Sequence, residues 1–276
     1  MDTVHAANSF FPVAEQSAAV MTNAAVNPEY KHLVVAADAP AVDVVAGQFF
    51  HLLCPPSDGA APFLRRPMSV YAADRARGCV EFLYKVTGAG TRGLATLAPG
   101  DRLNMLGPLG RGFTLAPTWR HIAVVGRGVG LATLAPLALM AERAGVGATA
   151  ILSARRPDLV MSVELFRAHG ADVVVVTDSD HSSDVGNVER LLRDLATRHK
   201  ADALFTCGSN RLLLLLQRLG KELGISGQVA LEQQMGCALG MCFCCVRDFH
   251  AADGGVEHRR VCWDGPVFDL QEPLSW

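Results

Sequence analysis

Residues 121–153 read HIAVVGRGVGLATLAPLALMAERAGVGATAILS, and this stretch decides the architecture. His121 to Val125 is an apolar run of strand length, and Gly126-Arg127-Gly128-Val129-Gly130 is a glycine turn. Leu131 to Ala144 is an apolar stretch of helical length, and Ala148 to Ser153 is strand-like again. A buried strand that enters a glycine turn and leaves as a helix opens a βαβ unit. The rhythm continues with a strand at Val173 to Val176, a helix at Val188 to Arg198, a strand at Ala203 to Cys207 and a helix at Arg211 to Leu223. This alternation predicts an open, mostly parallel α/β sheet over residues 118–226, an architecture that binds nucleotides at the carboxyl ends of its strands.

Upstream the pattern is different. Short β-rich runs such as His32 to Ala36, Ser69 to Ala72 and Val80 to Val86 alternate with Gly, Pro and Asp turns, which predicts an antiparallel β-barrel over residues 26–117. Residues 1–25, a mixture rich in Ala, Asn and Val, read as a flexible N-terminal extension. Downstream, residues 227–276 break the α/β rhythm and concentrate Cys and Gly, with Asp253-Gly254-Gly255 between two strand-like runs. They are expected to form a small subdomain.

Composition narrows the function. Of 276 residues half are hydrophobic and 19% are charged, and the net charge of −2 leaves no basic excess for nucleic acid. The longest leucine block, Leu212 to Leu216, is followed by Gln217 and Arg218, too short for a membrane span. The first 30 residues contain no Lys or Arg, so they lack the positive start of a secretory signal, and the expected location is the cytoplasm.

Of eight Cys, four fall between Cys237 and Cys245, a crowding that in a reducing compartment indicates metal binding. Four residues separate Cys237 from Cys242, two separate Cys242 from Cys245, and sixteen separate Cys245 from Cys262. That is the spacing of a plant-type 2Fe-2S cluster, C-x4-C-x2-C with a distant fourth Cys. Small residues are needed where a loop wraps such a cluster, and Gly236, Ala238 and Gly240 supply them. Zinc held by four Cys is the alternative, although zinc ribbons pair two short knuckles and only one multi-Cys loop exists here. Cys244 reads as a spectator, and Cys54, Cys79 and Cys207 as small buried residues unless a ligand claims them. Met241 and Phe243 at the loop tip suit either a docking surface or inward packing.

Three further motifs bear on ligands. Arg66-Pro67-Met68-Ser69 begins a strand where a fixed Pro can aim an Arg and a hydroxyl at a phosphate or flavin ring. Leu83-Tyr84-Lys85 ends the next long strand and precedes Gly88-Ala89-Gly90-Thr91, a turn able to cradle a pyrophosphate. Gly126, Gly128 and Gly130 at one strand end, and Cys207-Gly208-Ser209 at another, occupy phosphate and ligand positions of an α/β sheet. The glycine turn is not the G-x-G-x-x-G fingerprint, because Leu131 stands where its third Gly would be.

In this order the segments resemble the electron-transfer subunit of the two-subunit, NAD-linked dihydroorotate dehydrogenase, within the ferredoxin-NADP reductase superfamily, over roughly residues 30–272. The most specific part is the closing segment Val261-Cys262-Trp263-Asp264-Gly265-Pro266-Val267-Phe268. The resemblance implies that Arg66 to Ser69, Leu83 to Lys85 and Gly90-Thr91 bind FAD. By the same resemblance Gly126, Gly128, Gly130, Cys207 and Gly208 face NAD(P)H, and Cys237, Cys242, Cys245 and Cys262 hold the cluster. The sequence departs from the family at Arg127, where Gly is usual, and at Thr133 and Ser209, where Pro is usual. The implied route takes a hydride from NAD(P)H to FAD and single electrons to the cluster. It then leads to a catalytic flavoprotein subunit that oxidises dihydroorotate. A similar subunit serving another oxidoreductase, or a zinc-stabilised interaction module without redox activity, are the other readings.

Overall fold

A computed structural model describes residues 13–275. Its first half contains β1 (Ala14–Ala25), β2 (Tyr30–Ala36), β3 (Phe49–Leu52), β4 (Arg66–Ser69), β5 (Ala72–Asp74), β6 (Cys79–Lys85), helix α1 (Ala89–Thr96) and β7 (Arg102–Leu109). The strands pair antiparallel in the order β4-β3-β7-β1-β2-β6-β5. The two end strands, β4 and β5, are joined through Val70 and Tyr71 alone, so the sheet curls into the expected barrel. Alternate residues point inward, as a pleated strand requires, and Leu33, Val35, Phe50, Phe82 and Met105 fill the interior.

One expectation is overturned here. Ala14–Ala25 is not part of a flexible extension; β1 lies in the middle of the sheet, hydrogen-bonded to β7 on one side and β2 on the other. Only Ala18 and Val20 of this strand are buried, so its order comes from pairing with segments distant in sequence. Residues 1–12 of the expected extension lie outside the described residues. A smaller difference is that the run Ser69 to Ala72 is not one strand: the chain turns between β4 and β5.

The second half follows the predicted alternation through β8 (His121–Arg127), α2 (Gly130–Leu134), α3 (Pro136–Ala144), β9 (Gly147–Ala154), α4 (Val163–Ala168), β10 (Asp172–Thr177), α5 (Val185–Thr197), β11 (Ala203–Cys207), α6 (Asn210–Leu223) and β12 (Ser226–Ala230). The single helix expected over Leu131 to Ala144 is interrupted before Pro136, which has no amide to donate. The five strands are parallel in the order β10-β9-β8-β11-β12. Starting from β8 the chain adds β9 and β10 on one side, then returns to add β11 and β12 on the other. The gap between the carboxyl ends of β8 and β11 is therefore the switch point at which such sheets take ligands.

The Cys-rich part forms the hairpin β13 (Val246–His250) and β14 (Val256–Arg260), the short helix α7 (Val261–Asp264) and β15 (Val267–Asp269). β15 pairs antiparallel with β12, so this subdomain closes the edge of the parallel sheet. Its core is Phe249 against Phe268, ring centroids 4.5 Å apart, with the Arg259 guanidinium 5.2 Å over Phe249. Phe249→Ala should cost about 3 to 5 kcal/mol of stability. Chemical unfolding of the purified variant checks this, and an unchanged midpoint would show that the ring supports nothing.

Candidate functional site

At the switch point the turns after β8 and β11 interlock. Gly208 has φ +90° and a Cβ there would stand 2.3 Å from the Arg127 carbonyl oxygen; a Cβ on Gly130 would stand 2.5 Å from that of Cys207. Only glycine allows this approach, so Gly130 and the Cys207-Gly208 pair, separate in sequence, pack backbone to backbone, while Gly126 packs under Leu131 and Leu134 and Gly128 faces the Tyr30 hydroxyl. Arg127 does not point freely into it. Its guanidinium is bound bidentately by Asp178 at 2.6 and 3.0 Å and donates to Ser153 Oγ at 2.9 Å. Those bonds, with one from Ser183, hold the Asp178 carboxyl down at about 2.

Between barrel and parallel sheet lies a cleft of about 280 Å³. It brings together Pro67, Met68 and Ser69 from β4, Leu83, Tyr84 and Lys85 from β6, Thr91 from α1, and Cys207. Most of this set was legible from sequence, with one change of role. The Tyr84 ring is buried in the barrel core with its hydroxyl on Asn23 at 3.0 Å, and burial pushes it up to about 12, so this side chain supports the barrel. The Gly88-to-Thr91 segment is the first turn of α1, pinned by Thr91 Oγ1, which accepts the amides of Thr87 and Gly88 at 2.9 and 3.1 Å. A Cβ on Gly90 would stand 2.9 Å from Arg66 Nε, so this glycine seats the guanidinium over a helix N-terminus. Arg66 Nη1 donates to the Leu64 and Arg65 carbonyls, and the rest of its fork beside the helix N-terminus could receive a phosphate.

A string of polar groups crosses the cleft. Thr133 Oγ1 donates to Ser69 Oγ at 2.8 Å, and the Cys207 thiol faces Glu232 Oε1 at 3.8 Å. Burial raises the Cys207 thiol well above its ordinary value, while the Glu232 side chain beside it is exposed to solvent. Thr133 and Glu232 were not nominated from sequence as site residues. An acid directly after the apolar run of β12, at a carboxyl strand end, was the available signal for Glu232. A second cavity of about 620 Å³ shares Pro67, Glu232, Gln233 and Met235 with the first and continues past Arg65 and Arg66 to Cys244.

That continuation ends at the Cys loop. Cys237 Sγ accepts the amides of Leu239, Met241 and Cys242 at 3.3 to 3.4 Å, and Cys245 Sγ accepts the Cys262 amide at 3.4 Å. Although burial raises the Cys237 thiol, those amides and Cys242 bring it down to about 7. Cys262 lowers its partner Cys245 in the same way and is itself raised. The four expected ligands thus stand as two pairs, Cys237 with Cys242 and Cys245 with Cys262. Two thiol pairs with backbone amides aimed at sulfur suit a cluster of two irons. Gly240, at φ +77° with Trp263 3.0 Å from where its Cβ would be, lets the loop fold over α7. Met241, Phe243 and Trp263 are 78%, 63% and 47% exposed, which resolves the loop tip as facing outward.

A barrel with an anion seat, a doubly wound sheet joined to it at a ligand cleft, and a paired-Cys loop define a reductase-type redox protein with an iron-sulfur subdomain. Solved structures agree on the fold. The chain is similar to the NADH-dependent reduced ferredoxin-NADP oxidoreductase, with a TM-score of 0.79 at 23% identity over 94% of this chain and 90% of the other. It is also similar to the ferredoxin reductase in carbazole 1,9a-dioxygenase, with a TM-score of 0.63 at 21% identity over 78% and 68%. The family model for the iron-sulfur cluster binding domain of dihydroorotate dehydrogenase B matches residues 232–272. The chain is 35% identical to the dihydroorotate dehydrogenase B (NAD(+)) electron transfer subunit of Desulforamulus reducens, over 84% of this chain and 88% of that one. It is 34% identical to the subunit of that name in Bacillus cereus strain B4264, over 82% and 85%. The chain belongs to the family of dihydroorotate dehydrogenase B electron transfer subunits.

Proposed function

We propose that this chain carries electrons between a nicotinamide dinucleotide, FAD and a 2Fe-2S cluster, and exchanges them with a catalytic flavoprotein subunit that converts dihydroorotate to orotate. The observation that carries this reading is the adjacency of the ligand cleft to a second cavity lined by Cys244, the two sharing Pro67, Glu232, Gln233 and Met235 as a common wall beside the paired Cys loop. When bound, FAD would take up two electrons as one hydride and release them singly, and the cluster would carry them one at a time.

The residues divide the work. Arg66 and the first turn of α1 would hold the FAD phosphates, while Pro67, Met68, Ser69, Leu83 and Lys85 would line its ring and ribityl chain. Tyr84 would contribute through its backbone, Gly90 by leaving Arg66 its place, and Thr91 by fixing the turn. Ser69, Thr133 and Cys207 hold hydroxyl and thiol protons inside an apolar cleft, which orients a polar ring edge and keeps bulk water out. Gly126, Gly128, Gly130 and Gly208 would admit the dinucleotide at the switch point. Cys237, Cys242, Cys245 and Cys262 would ligate the two irons, and the exposed Met241, Phe243 and Trp263 would meet the partner.

The working division is a barrel with β1 added to residues 26–117, a dinucleotide part over 118–226 and a cluster part over 227–276. No helix among the described residues is long and apolar enough to cross a membrane. Cysteines that ligate metal in place of disulfides suit the reducing cytoplasm.

The test is cofactor stoichiometry: iron and sulfide in equal amounts, each twice the FAD, support the reading. Zinc without flavin contradicts it. Arg66→Ala should weaken FAD binding by about 1.5 to 3 kcal/mol through loss of a charge-assisted contact. Titration of flavin-stripped protein with FAD measures this, and equal affinity in both proteins would remove Arg66 from the site.

A further inference from the structure

The two Cys pairs sit on separate stretches of chain. Cys237 and Cys242 belong to the loop, whereas Cys245 at the end of the loop meets Cys262 of α7. A cluster of two irons needs all four sulfurs at fixed spacing, so the loop tip must be held against α7. The loop does not hold itself. Ala238, Gly240 and Phe243 have φ of +58°, +77° and +58°, and for Ala and Phe such a conformation persists only where neighbouring structure imposes it.

Arg260 is placed to impose it. This residue closes β14 two positions before Cys262, and its side chain forks between α7 and the loop. Nε and Nη2 donate to the two oxygens of Asp264 at 3.1 and 3.2 Å, while Nη1 donates to the Gly240 carbonyl at 3.3 Å. The Phe243 ring lies over the same guanidinium, its centroid 5.7 Å from Cζ. Asp264 also accepts the Arg260 amide at 2.8 Å, so the acid at one end of α7 aims the arginine at the other. Gly240 lies between Cys237 and Cys242, so one side chain bridges the first Cys pair to the turn that carries Cys262. Asp264 neutralises the guanidinium, and what Arg260 then contributes is geometry, three donors in a rigid plane, rather than a free charge.

We propose that Arg260, aimed by Asp264, is the clasp of the cluster loop, a positioning residue that locks the Cys237/Cys242 pair against the Cys245/Cys262 pair and sets how tightly iron is held. This rests on the reading of those four Cys as the cluster ligands.

The experiment follows iron loss from the purified holoprotein to an excess of bathophenanthroline under anaerobic conditions. Amide hydrogen exchange of the loop and the EPR spectrum of the dithionite-reduced cluster are read on the same samples. Arg260→Gln should lose iron about tenfold faster, as removal of a residue that orients metal ligands does. The Leu239, Met241 and Cys242 amides, which bond Cys237 Sγ, should exchange faster, and the EPR signal should broaden while FAD content stays unchanged. Arg260→Lys keeps the charge but cannot span Asp264 and Gly240 together, so it should lose iron as fast as Arg260→Gln. Asp264→Asn leaves the arginine without the carboxylate that aims it and should speed iron loss by about threefold; it carries the test if Arg260→Gln fails to fold. Wild-type retention in Arg260→Lys would assign the effect to charge and overturn the clasp. Wild-type retention in both Arg260→Gln and Asp264→Asn would overturn it outright. Wild-type protein that holds no iron removes the ligand assignment and the proposal together, a failure that metal analysis reveals before any variant is compared.

Discussion

Replacing Cys262 by Ser should strip the cluster: iron and acid-labile sulfide fall to a small fraction of the wild-type content, while bound FAD stays near its wild-type level. The reason is positional. Cys262 is buried in α7 and sits against Cys245, whose sulfur accepts the Cys262 amide, so this pair joins the loop to the hairpin end. A hydroxyl is a poorer donor to iron than thiolate, and nothing else in the pair can take its place. The neighbouring Cys244 is exposed and adjacent to Cys245, so its use as a substitute would require the loop to refold. Cys244→Ser, in contrast, should keep full iron content. Equal iron loss in both variants would contradict the ligand assignment.

Gly208→Ala should have the second large effect, on the dinucleotide side. A methyl group there meets the Arg127 carbonyl at 2.3 Å and must also adopt φ +90°, a backbone region that costs a non-glycine residue about 1 to 3 kcal/mol. Relief of that contact moves the β8 turn against the β11 turn, so the nicotinamide is presented in the wrong place. Misplacement by about 1 Å can cost on the order of a hundredfold in rate. The expected outcome is a flavin reduction rate about a hundredfold lower, with FAD and iron contents unchanged. Stopped-flow reduction under anaerobic conditions measures it, and a wild-type rate would show that these turns do not position the donor.

The parts of the molecule legible in sequence are those set by local chemistry. The Cys spacing is dictated by what a short loop can wrap, and the pairs Cys237/Cys242 and Cys245/Cys262 stand accordingly. The alternation of buried strand and helix after His121 was equally readable, because parallel strands buried on both faces leave continuous apolar runs. What escaped was set by distant partners. β1 buries only Ala18 and Val20, so no hydrophobic alternation announces it, and its order depends on β7, more than eighty residues away in the Ser17 to Asn104 register. Tyr84 was nominated with its neighbours, but strand alternation sends its ring to Asn23 inside the barrel while Lys85 faces the cleft. Thr133 meets Ser69, and Cys207 meets Glu232, only because the sheet and barrel close on one another.

One chain joins a dinucleotide-fed flavin to a two-iron cluster across adjoining cavities. The most direct test of this is an anaerobic visible spectrum of the purified protein before and after adding NAD(P)H, with flavin, iron and sulfide quantified on the same sample. The account predicts loss of both the flavin and the cluster absorption bands on addition of the donor. A colourless zinc protein, or flavin that bleaches while the cluster bands stay unchanged, would contradict it.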